Sequence, residues 1–223
     1  MHHLIIADRR YSSWSLRAWL AARKSGVSFE TIVLPLGSPD YIKNVKQYAP
    51  FGTGRLPVLQ LGEAVVWDSL AIAETLAETC PSLLPNDFPR RTWVRSICAE
   101  MHSGFSTLRQ AMPMNCCVKR PEVFERLKHN ADVIADIERI QFIWQKSLEN
   151  SQKNGETAGW LMGQFTLADA FFAPVVSRFN TYGVPMEGLV KQYAEHVLAD
   201  PDMQAWYQMA EQETNVLNKY ENL

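Results

Sequence analysis

Long apolar runs are absent from this sequence. No stretch approaches the roughly 20 consecutive apolar residues that a membrane-spanning helix requires. The N-terminal segment Met1–Asp8 reaches a charged residue too early to be a signal peptide. We therefore expect a soluble protein of the cytoplasm with no membrane partner.

Spacings typical of metal and redox sites are absent as well. The four cysteines form no CxxC motif, and the adjacent His2 and His3 stand alone, without an HExxH motif anywhere in the chain. Cys116 and Cys117 are adjacent in the chain, which places them poorly for a bridge with each other. We expect reduced thiols, as is usual in the cytosol, and no bound metal.

The sequence also has no excess of basic over acidic residues. The formal net charge is −2 at pH 7, which argues against a nucleic-acid partner. No GxSxG nucleophile elbow occurs, which argues against a serine hydrolase. Positive residues do cluster near the N-terminus, where they are expected either to surround an anionic ligand or to form a solvated helix face. These residues are Arg9, Arg10, Arg17, Arg23 and Lys24.

The first third of the chain alternates short apolar runs with segments of helical period. In chain order the predicted elements are a strand at Leu4–Ala7, a helix from Leu16 that stops at Gly26, a strand at Phe29–Leu34, a short helix at Asp40–Tyr48, strands at Leu56–Leu61 and Ala64–Trp67, and a helix from Asp68 to Thr79. The order β-α-β-α-β-β-α predicts a mixed sheet with helices on its faces.

The composition changes after Cys80. Residues 81–89 contain three prolines and are predicted to be a linker between a domain at 1–80 and a second domain at 90–223. No strand pattern follows, so the second domain is predicted to be all-helical, with a capping box formed by Thr166 and Asp169. Its predicted helices are Arg90–Met112, Pro121–Asn150, Thr166–Tyr182, Met186–Leu198 and Pro201–Thr214.

Three short motifs stand where predicted elements begin. The segment Tyr11–Arg17, with the sequence YSSWSLR, opens the first helix, Leu56-Pro57 opens the third strand, and Asp68-Ser69 opens the third helix. Each motif has an ordinary structural interpretation, because serine and aspartate cap helices and proline often begins an edge strand. A helix N-terminus is also a natural site for a carboxylate or a thiolate.

The order of elements and the three motifs together resemble the cytosolic glutathione transferases. The serine motif is similar to that of zeta-class and plant members. The resemblance implies an α+β thioredoxin-like N-terminal domain followed by an all-α domain, with glutathione as the co-substrate and a homodimer as the assembly. It also implies that Ser12 stabilises the glutathione thiolate with its hydroxyl, while Ser13 and Ser15 stay open as alternatives.

The resemblance implies the other glutathione contacts too. Leu56, before a cis Pro57, would align the tripeptide through its backbone. Ser69 would bind the γ-glutamyl carboxylate and Asp68 would take the ammonium group. Ser13 is expected to be a further glutathione-binding residue beside Ser12.

The second substrate is predicted to be a small hydrophobic electrophile, conjugated in a detoxification reaction. Candidate pocket residues are Trp14, His102, Phe105 and Arg109, although packing or solvated positions are alternatives for the last three. A maleylacetoacetate isomerase-type reaction is a second possibility, but Trp14 stands where those enzymes carry cysteine, and Arg178 falls about one helical turn from their substrate-binding arginine. A non-catalytic binding protein of the same fold is the third.

Overall fold

The N-terminal part of the chain contains one four-stranded mixed sheet. The computed structural model describes residues 1–221. The strands are β1 (His3–Ile6), β2 (Glu30–Val33), β3 (Val58–Leu61) and β4 (Ala64–Val66), in the spatial order β2-β1-β3-β4. Strand β1 is parallel to β2 and antiparallel to β3, and β4 is antiparallel to β3. The mixed sheet predicted from the sequence is confirmed.

Three helices complete this part. They are α1 (Ser13–Ser25), α2 (Tyr41–Tyr48) and α3 (Ser69–Thr79). Ser12 is the N-cap of α1, and Gly26 ends the helix in the left-handed region with φ 75°. Asp68 is the N-cap of α3 and accepts a hydrogen bond from the backbone N–H of Leu70. Capping by Asp68 places the start of α3 where the sequence predicted it, whereas capping by Ser12 starts α1 three residues before the predicted Leu16.

The rest of the described chain is helical. Its helices are α4 (Phe88–Ser103), α5 (Ser106–Ala111), α6 (Pro121–Leu127), α7 (Ala131–Lys153), α8 (Leu167–Tyr182), α9 (Gly188–Ala199), α10 (Pro201–Glu211) and the single turn α11 (Asn218–Glu221). The predicted α+β thioredoxin-like domain followed by helices is confirmed. Within residues 1–221, no helix is long and apolar enough to cross a membrane.

Two predicted helices are each divided into two. The prediction of one helix over Arg90–Met112 is wrong, because the chain leaves the helical path at Gly104 and Phe105, and Phe105 has φ 56°. A Cβ on Gly104 would lie 2.7 Å from the backbone oxygen of Glu100, so this break needs glycine. The prediction over Pro121–Asn150 is also wrong: the first helix ends at Leu127.

The proline-rich segment is less extended than the sequence suggests. Pro81–Leu83 forms a 3-10 turn, and α4 begins at Phe88, two residues before the predicted start. Asp87 caps α4 by accepting a hydrogen bond from the N–H of Arg90 at 2.9 Å. Capping by Asp87 with a proline in the first turn explains the earlier start.

Helix α1 joins the two parts of the molecule. It packs against α3 on one side and against α8 on the other, and Trp19 of α1 contacts Trp206 of α10 with ring centroids 5.3 Å apart. The capping box at the start of α8 is confirmed, since Asp169 accepts hydrogen bonds from the N–H and hydroxyl groups of Thr166. The packing of α1 against α3 and α8 holds the N-terminus of α1 at the junction between the sheet and the helices.

Candidate functional site

Ser12 lies at the N-terminus of α1 in a nearly buried position. Its side chain is at the edge of a cavity of about 580 Å³, and the residue is 9% exposed. Its Oγ accepts a hydrogen bond from the N–H of Ser15 at 3.3 Å, which is the capping interaction. The same oxygen therefore faces both the cavity and the positive end of the helix.

A second hydroxyl lies directly behind Ser12. The Oγ atoms of Ser12 and Ser15 are 2.8 Å apart, and Ser15 Oγ accepts a hydrogen bond from the N–H of Ala7 at 3.0 Å. Ser15 is fully buried, so it does not face the cavity. The three groups form a chain of hydrogen bonds from the end of β1 to Ser12 Oγ.

Ser13 faces the same cavity but has a different partner. Its Oγ accepts a hydrogen bond from Nη2 of Arg178 at 3.1 Å. Arg178, on α8, also donates to the backbone oxygens of Met112 and Pro174. The Ser13 hydroxyl thus binds the Arg178 guanidinium in the cavity wall, whereas the Ser12 hydroxyl caps α1.

Two arginines lie over the ring of Trp14, and a third, Arg178, is close enough to affect the pKa of one of them. The guanidinium carbon of Arg17 is 4.5 Å from the Trp14 ring centroid, and that of Arg109 is 5.2 Å from it. Burial, together with the positive charges of Arg178 and Arg109, lowers the pKa of Arg17 to about 9. Burial and Arg109 lower the pKa of Arg178 to about 10. The side of the site that carries Arg109 and Arg178 is therefore strongly electropositive.

The N-terminus of α3 borders a second cavity of about 480 Å³. Asp68 lines it, and its side chain is 55% exposed. Ser69 is fully buried, and within residues 1–221 its Oγ has no hydrogen-bond partner. A buried hydroxyl without a partner is costly unless a ligand completes it. Ser69 lines neither cavity, so the second cavity meets the Asp68 carboxylate and the positive end of α3, and the Ser69 hydroxyl stays buried.

Leu56 and Pro57 lie between the two cavities. Leu56 lines both of them, and Pro57 lines the second. The Leu56–Pro57 peptide bond is cis, as the resemblance implied. Trp14, Arg55 and Arg109 also line both cavities, so the two form one continuous site along the junction of the sheet and the helices.

The other two pocket candidates lie differently. His102 lines neither cavity; its ring contacts Trp14 edge-on, and its Nε2 is 3.3 Å from Oδ2 of Asp68. Burial, and to a lesser extent the nearby arginines, lower the pKa of His102 although Asp68 acts in the opposite direction. Phe105 is not a pocket residue: it is 8% exposed and belongs to the hydrophobic core, because the backbone turns inward at φ 56°.

The C-terminal segment contributes contacts that sequence reasoning missed. The carboxylate of Glu221 accepts hydrogen bonds from Tyr11 Oη at 2.7 Å and from Asn115 at 3.0 Å. Tyr220 stacks on Tyr11 with ring centroids 5.2 Å apart and lines the larger cavity. Glu213 accepts hydrogen bonds from backbone N–H groups of the loop before α1. No local pattern in the sequence signals these long-range contacts.

The N-terminal cluster of positive residues is largely neutralised. Arg9 pairs with Glu213 at 3.0 Å, and Lys24 pairs with Asp200 at 2.6 Å. Arg10 and Arg23 have acidic partners on the C-terminal segment and on α10. Arg17 alone of the five has no ion pair within residues 1–221. Four of the five residues therefore have acidic partners of their own, and an anionic ligand at this cluster stays a prediction.

Comparison with known families gives one match. Residues 11–79 match the model of the glutathione S-transferase N-terminal domain. This segment includes Ser12, Leu56-Pro57 and Asp68-Ser69. No curated protein matches the chain.

Solved structures with the same fold cover nearly the whole chain. A glutathione transferase homologue from Burkholderia BGR1 with bound glutathione is 23% identical, covers 95% of this chain and 99% of its own, and has a TM-score of 0.60. The holo structure of a maleyl pyruvate isomerase, described as a bacterial zeta-class glutathione-S-transferase, is 21% identical with coverages of 96% and 100% and a TM-score of 0.69. A glutathione-S-transferase from Xylella fastidiosa is 21% identical, with coverages of 95% and 99% and a TM-score of 0.62.

The comparisons agree on the fold. The chain has the glutathione transferase fold, and residues 11–79 match the glutathione S-transferase N-terminal domain. The resemblance to the cytosolic glutathione transferase family that the sequence suggested is thus confirmed.

Proposed function

We propose that the protein is a glutathione transferase in which the hydroxyl of Ser12 stabilises the glutathione thiolate. The observation that carries the proposal is the position of Ser12 Oγ, which caps α1, borders the larger cavity and has Ser15 Oγ 2.8 Å behind it. In the structure Ser12 Oγ donates to Ser15 Oγ at 2.8 Å. When the Ser12 proton turns towards sulfur, this hydrogen bond reverses and the hydroxyl of Ser15 donates to Ser12 Oγ. We further propose that the protein acts in the cytoplasm, where thiols remain reduced.

The required stabilisation is within reach of these groups. A free thiol has a pKa of about 8.5, so an enzyme that lowers it by about two units stabilises the thiolate by about 2.7 kcal/mol. A hydrogen bond to a charged group contributes about 1.5–3 kcal/mol. The positive end of α1 adds about 0.3–1 kcal/mol. Ser12 and the helix terminus together therefore supply the needed energy, and neither does so comfortably alone.

The rest of the glutathione molecule has matching groups along the site. The backbone of Leu56, ahead of the cis Pro57, is placed between the two cavities to pair with the cysteinyl residue of the tripeptide. The positive end of α3, where the buried Ser69 stands at the first position, suits the γ-glutamyl carboxylate, and the exposed carboxylate of Asp68 suits its ammonium group. Ser13 acts indirectly, by holding Arg178.

The proposal is tested by titrating the ultraviolet absorbance of bound glutathione thiolate against pH. Ser12→Ala is compared with Ser13→Ala, a matched control that removes a neighbouring hydroxyl. We expect a depressed thiol pKa in the wild type and in Ser13→Ala, and a return towards the free value in Ser12→Ala. A depressed pKa that only Ser13→Ala abolishes would assign the role to Ser13. Binding without a shifted pKa in any form would favour a non-catalytic binding protein.

The larger cavity favours an electrophile that carries an acidic group. It is lined by Arg55, Arg109, Arg178 and Lys219, and no carboxylate of residues 1–221 lines it. A purely hydrophobic electrophile would leave these cations with neutral hydrogen-bond acceptors at most and no anionic partner in a partly buried site. We therefore modify the prediction of a small hydrophobic electrophile: Trp14 and Met114 would contact its apolar part, and the arginines its acidic group.

One observation favours a glutathione-dependent isomerase as the second candidate function. Arg178 reaches Ser13, next to Ser12, so a cation stands beside the proposed thiolate position. A maleyl pyruvate isomerase is also among the structures with the same fold. Turnover of an anionic cis-enedione substrate with no net consumption of glutathione would favour the isomerase over the transferase.

We also propose that the protein is a homodimer. Phe51 is 93% exposed, and a groove of about 500 Å³ between α4 and α7 is lined by Trp93 and Phe142. An aromatic side chain from a second copy would fill this groove and remove apolar surface from water. Sedimentation velocity of Phe51→Ser is expected to show monomers, whereas Ile42→Ser, a control at another exposed apolar position, is expected to remain dimeric.

A further inference from the structure

The short helix α5 and the segment after it supply a large part of the wall of the larger cavity. The lining residues from this stretch are Ser106, Arg109, Gln110, Pro113 and Met114. Arg109 also lines the second cavity, and its guanidinium carbon lies 5.2 Å from the Trp14 ring centroid. The position of α5 therefore sets the shape and the charge of the proposed electrophile site.

Helix α5 has no capping side chain of its own. Its N-cap is Phe105, which carries no side-chain oxygen and lies in the left-handed region with φ 56°. The helix has only six residues. Isolated helices shorter than about 12–15 residues are marginal in water, so α5 depends on contacts from outside for its position.

Asp136 of α7 supplies the missing cap. Its Oδ2 accepts a hydrogen bond from the N–H of Leu108, in the first turn of α5, at 3.0 Å. The partial positive charge at the start of a helix also favours a carboxylate there. The side chain of Leu108 is fully buried, and α5 packs against α7. The start of α5 is therefore anchored on α7, 28 residues further along the chain.

The other end of α5 is held from α8. Arg178 Nε donates to the backbone oxygen of Met112, the C-cap, at 3.0 Å, and Arg178 Nη2 donates to Ser13 Oγ. Within this frame Arg109 Nη1 donates to the backbone oxygen of Gly104 at 3.0 Å. The guanidinium of Arg109 is therefore directed by the turn between α4 and α5, which lies at the end that Asp136 holds.

We propose that Asp136 is a positioning residue for the electrophile site. By capping α5 it fixes the helix start, and with it the place at which Arg109 presents its charge to the cavity. Without the carboxylate, the N–H of Leu108 loses its acceptor and the first turn of α5 frays, although Arg178 still holds the other end. The inference rests on the proposed function, since it concerns the electrophile site, but it does not depend on how the thiolate is stabilised.

The experiment measures binding of anilinonaphthalene sulfonate, an aromatic anion, to the full chain in the absence of glutathione, from the rise of its fluorescence. Arg109→Leu identifies the part of the binding that belongs to the cavity. We expect Asp136→Ala to weaken that part about 2–10-fold, the effect of one lost hydrogen bond. Asp136→Asn keeps an acceptor oxygen for the N–H of Leu108, so it is expected to bind nearly as the wild type does.

Asn130→Ala is the matched control. Asn130 caps α7, the helix that carries Asp136, by accepting hydrogen bonds from the N–H groups of Asp132 and Val133. These bonds do not involve α5. Thermal unfolding is expected to show a similar loss of stability in Asn130→Ala and Asp136→Ala, whereas binding of the probe is expected to change only in Asp136→Ala.

Several outcomes would overturn the proposal. They are unchanged probe binding in folded Asp136→Ala, an equal loss of binding in Asn130→Ala, and a wild type that does not bind the probe at the cavity. Binding in Asp136→Asn that is as weak as a complete loss of the cap predicts would assign the effect to charge instead of capping, and this arm holds even if Asp136→Ala does not fold.

Kinetics separate the inference from the proposed function. KM for an anionic electrophile should rise in Asp136→Ala, while the thiol pKa of bound glutathione stays as in the wild type. Failure of the proposed transferase function would instead appear as a thiol pKa that is not depressed in the wild type, and the probe measurement does not depend on that result.

Discussion

Ser15 is expected to tune the glutathione thiol without touching it. Its hydroxyl links Ser12 Oγ to the N–H of Ala7 through contacts of 2.8 Å and 3.0 Å. When Ser12 donates to the thiolate, a donation from Ser15 polarises the Ser12 hydroxyl and strengthens its bond to sulfur. A double-mutant cycle tests this idea by comparing Ser12→Ala, Ser15→Ala and the double variant with the wild type.

The magnitudes follow from the hydrogen bonds. Loss of a charge-assisted bond worth about 1.5–3 kcal/mol raises the thiol pKa by about 1–2 in Ser12→Ala. Cooperative strengthening is about 10–30% of such a bond, so Ser15→Ala raises the pKa by about 0.1–0.7. The double variant is expected to match Ser12→Ala, because Ser15 acts only through Ser12.

The assay is the thiolate absorbance titration with bound glutathione, together with thermal unfolding of each variant. Ser15→Ala also leaves the N–H of Ala7 without its partner, at a cost of about 1–3 kcal/mol in the free energy of unfolding. A double variant with a clearly higher thiol pKa than Ser12→Ala would refute the relay, since Ser15 would then act on sulfur by another route. An unchanged thiol pKa in Ser12→Ala would also refute the relay.

Three further predictions concern the site and its support. The pKa of His102 lies below its ordinary value of 6.5, so His102 becomes protonated only at lower pH. The protonated ring then pairs more strongly with Asp68 and competes with the glutathione ammonium group for that carboxylate. KM for glutathione should therefore rise below pH 6.5, and His102→Phe should remove that rise. Arg109→Leu should raise KM for an anionic electrophile by about 10–150-fold, from a loss of about 1.5–3 kcal/mol, while leaving a neutral electrophile nearly unaffected, and steady-state kinetics with both substrates would show it. Thr166→Ala should lower the unfolding free energy by about 0.5–2 kcal/mol and leave the thiol pKa unchanged, since the capping box supports only the fold; a shifted thiol pKa would contradict that separation.

The sequence predicted the parts of the fold that depend on neighbouring residues. The N-caps at Ser12 and Asp68 and the C-cap at Gly26 are local, since each is decided within one helical turn. The helix break at Gly104 and Phe105 was missed because a single glycine inside a helical pattern does not by itself end a predicted helix. The close approach of Gly104 to the Glu100 backbone, which marks the turn, is visible only in the structure.

The candidate site was predicted less completely than the fold. The motifs proposed to bind glutathione are short and continuous in sequence, so they were visible. The link between Arg178 and Ser13 joins residues 165 positions apart, and no periodicity carries such information. The same holds for Glu221 and Tyr11, 210 positions apart. The charge of the larger cavity was therefore missed, because it arises from residues brought together only by packing.

The loop before α1 is held by hydrogen bonds to the C-terminal segment. These late contacts have a consequence for how the protein folds during synthesis. The N–H of Arg9 has its acceptor on Glu213, 204 residues later, and Tyr11 has its acceptor on Glu221. During synthesis the N-terminal sheet and α1 emerge first and fold ahead of the helices. The loop carrying Ser12 receives its last hydrogen bonds only when residues 213–221 leave the ribosome, so the growing chain has the scaffold of the site well before it has the finished site.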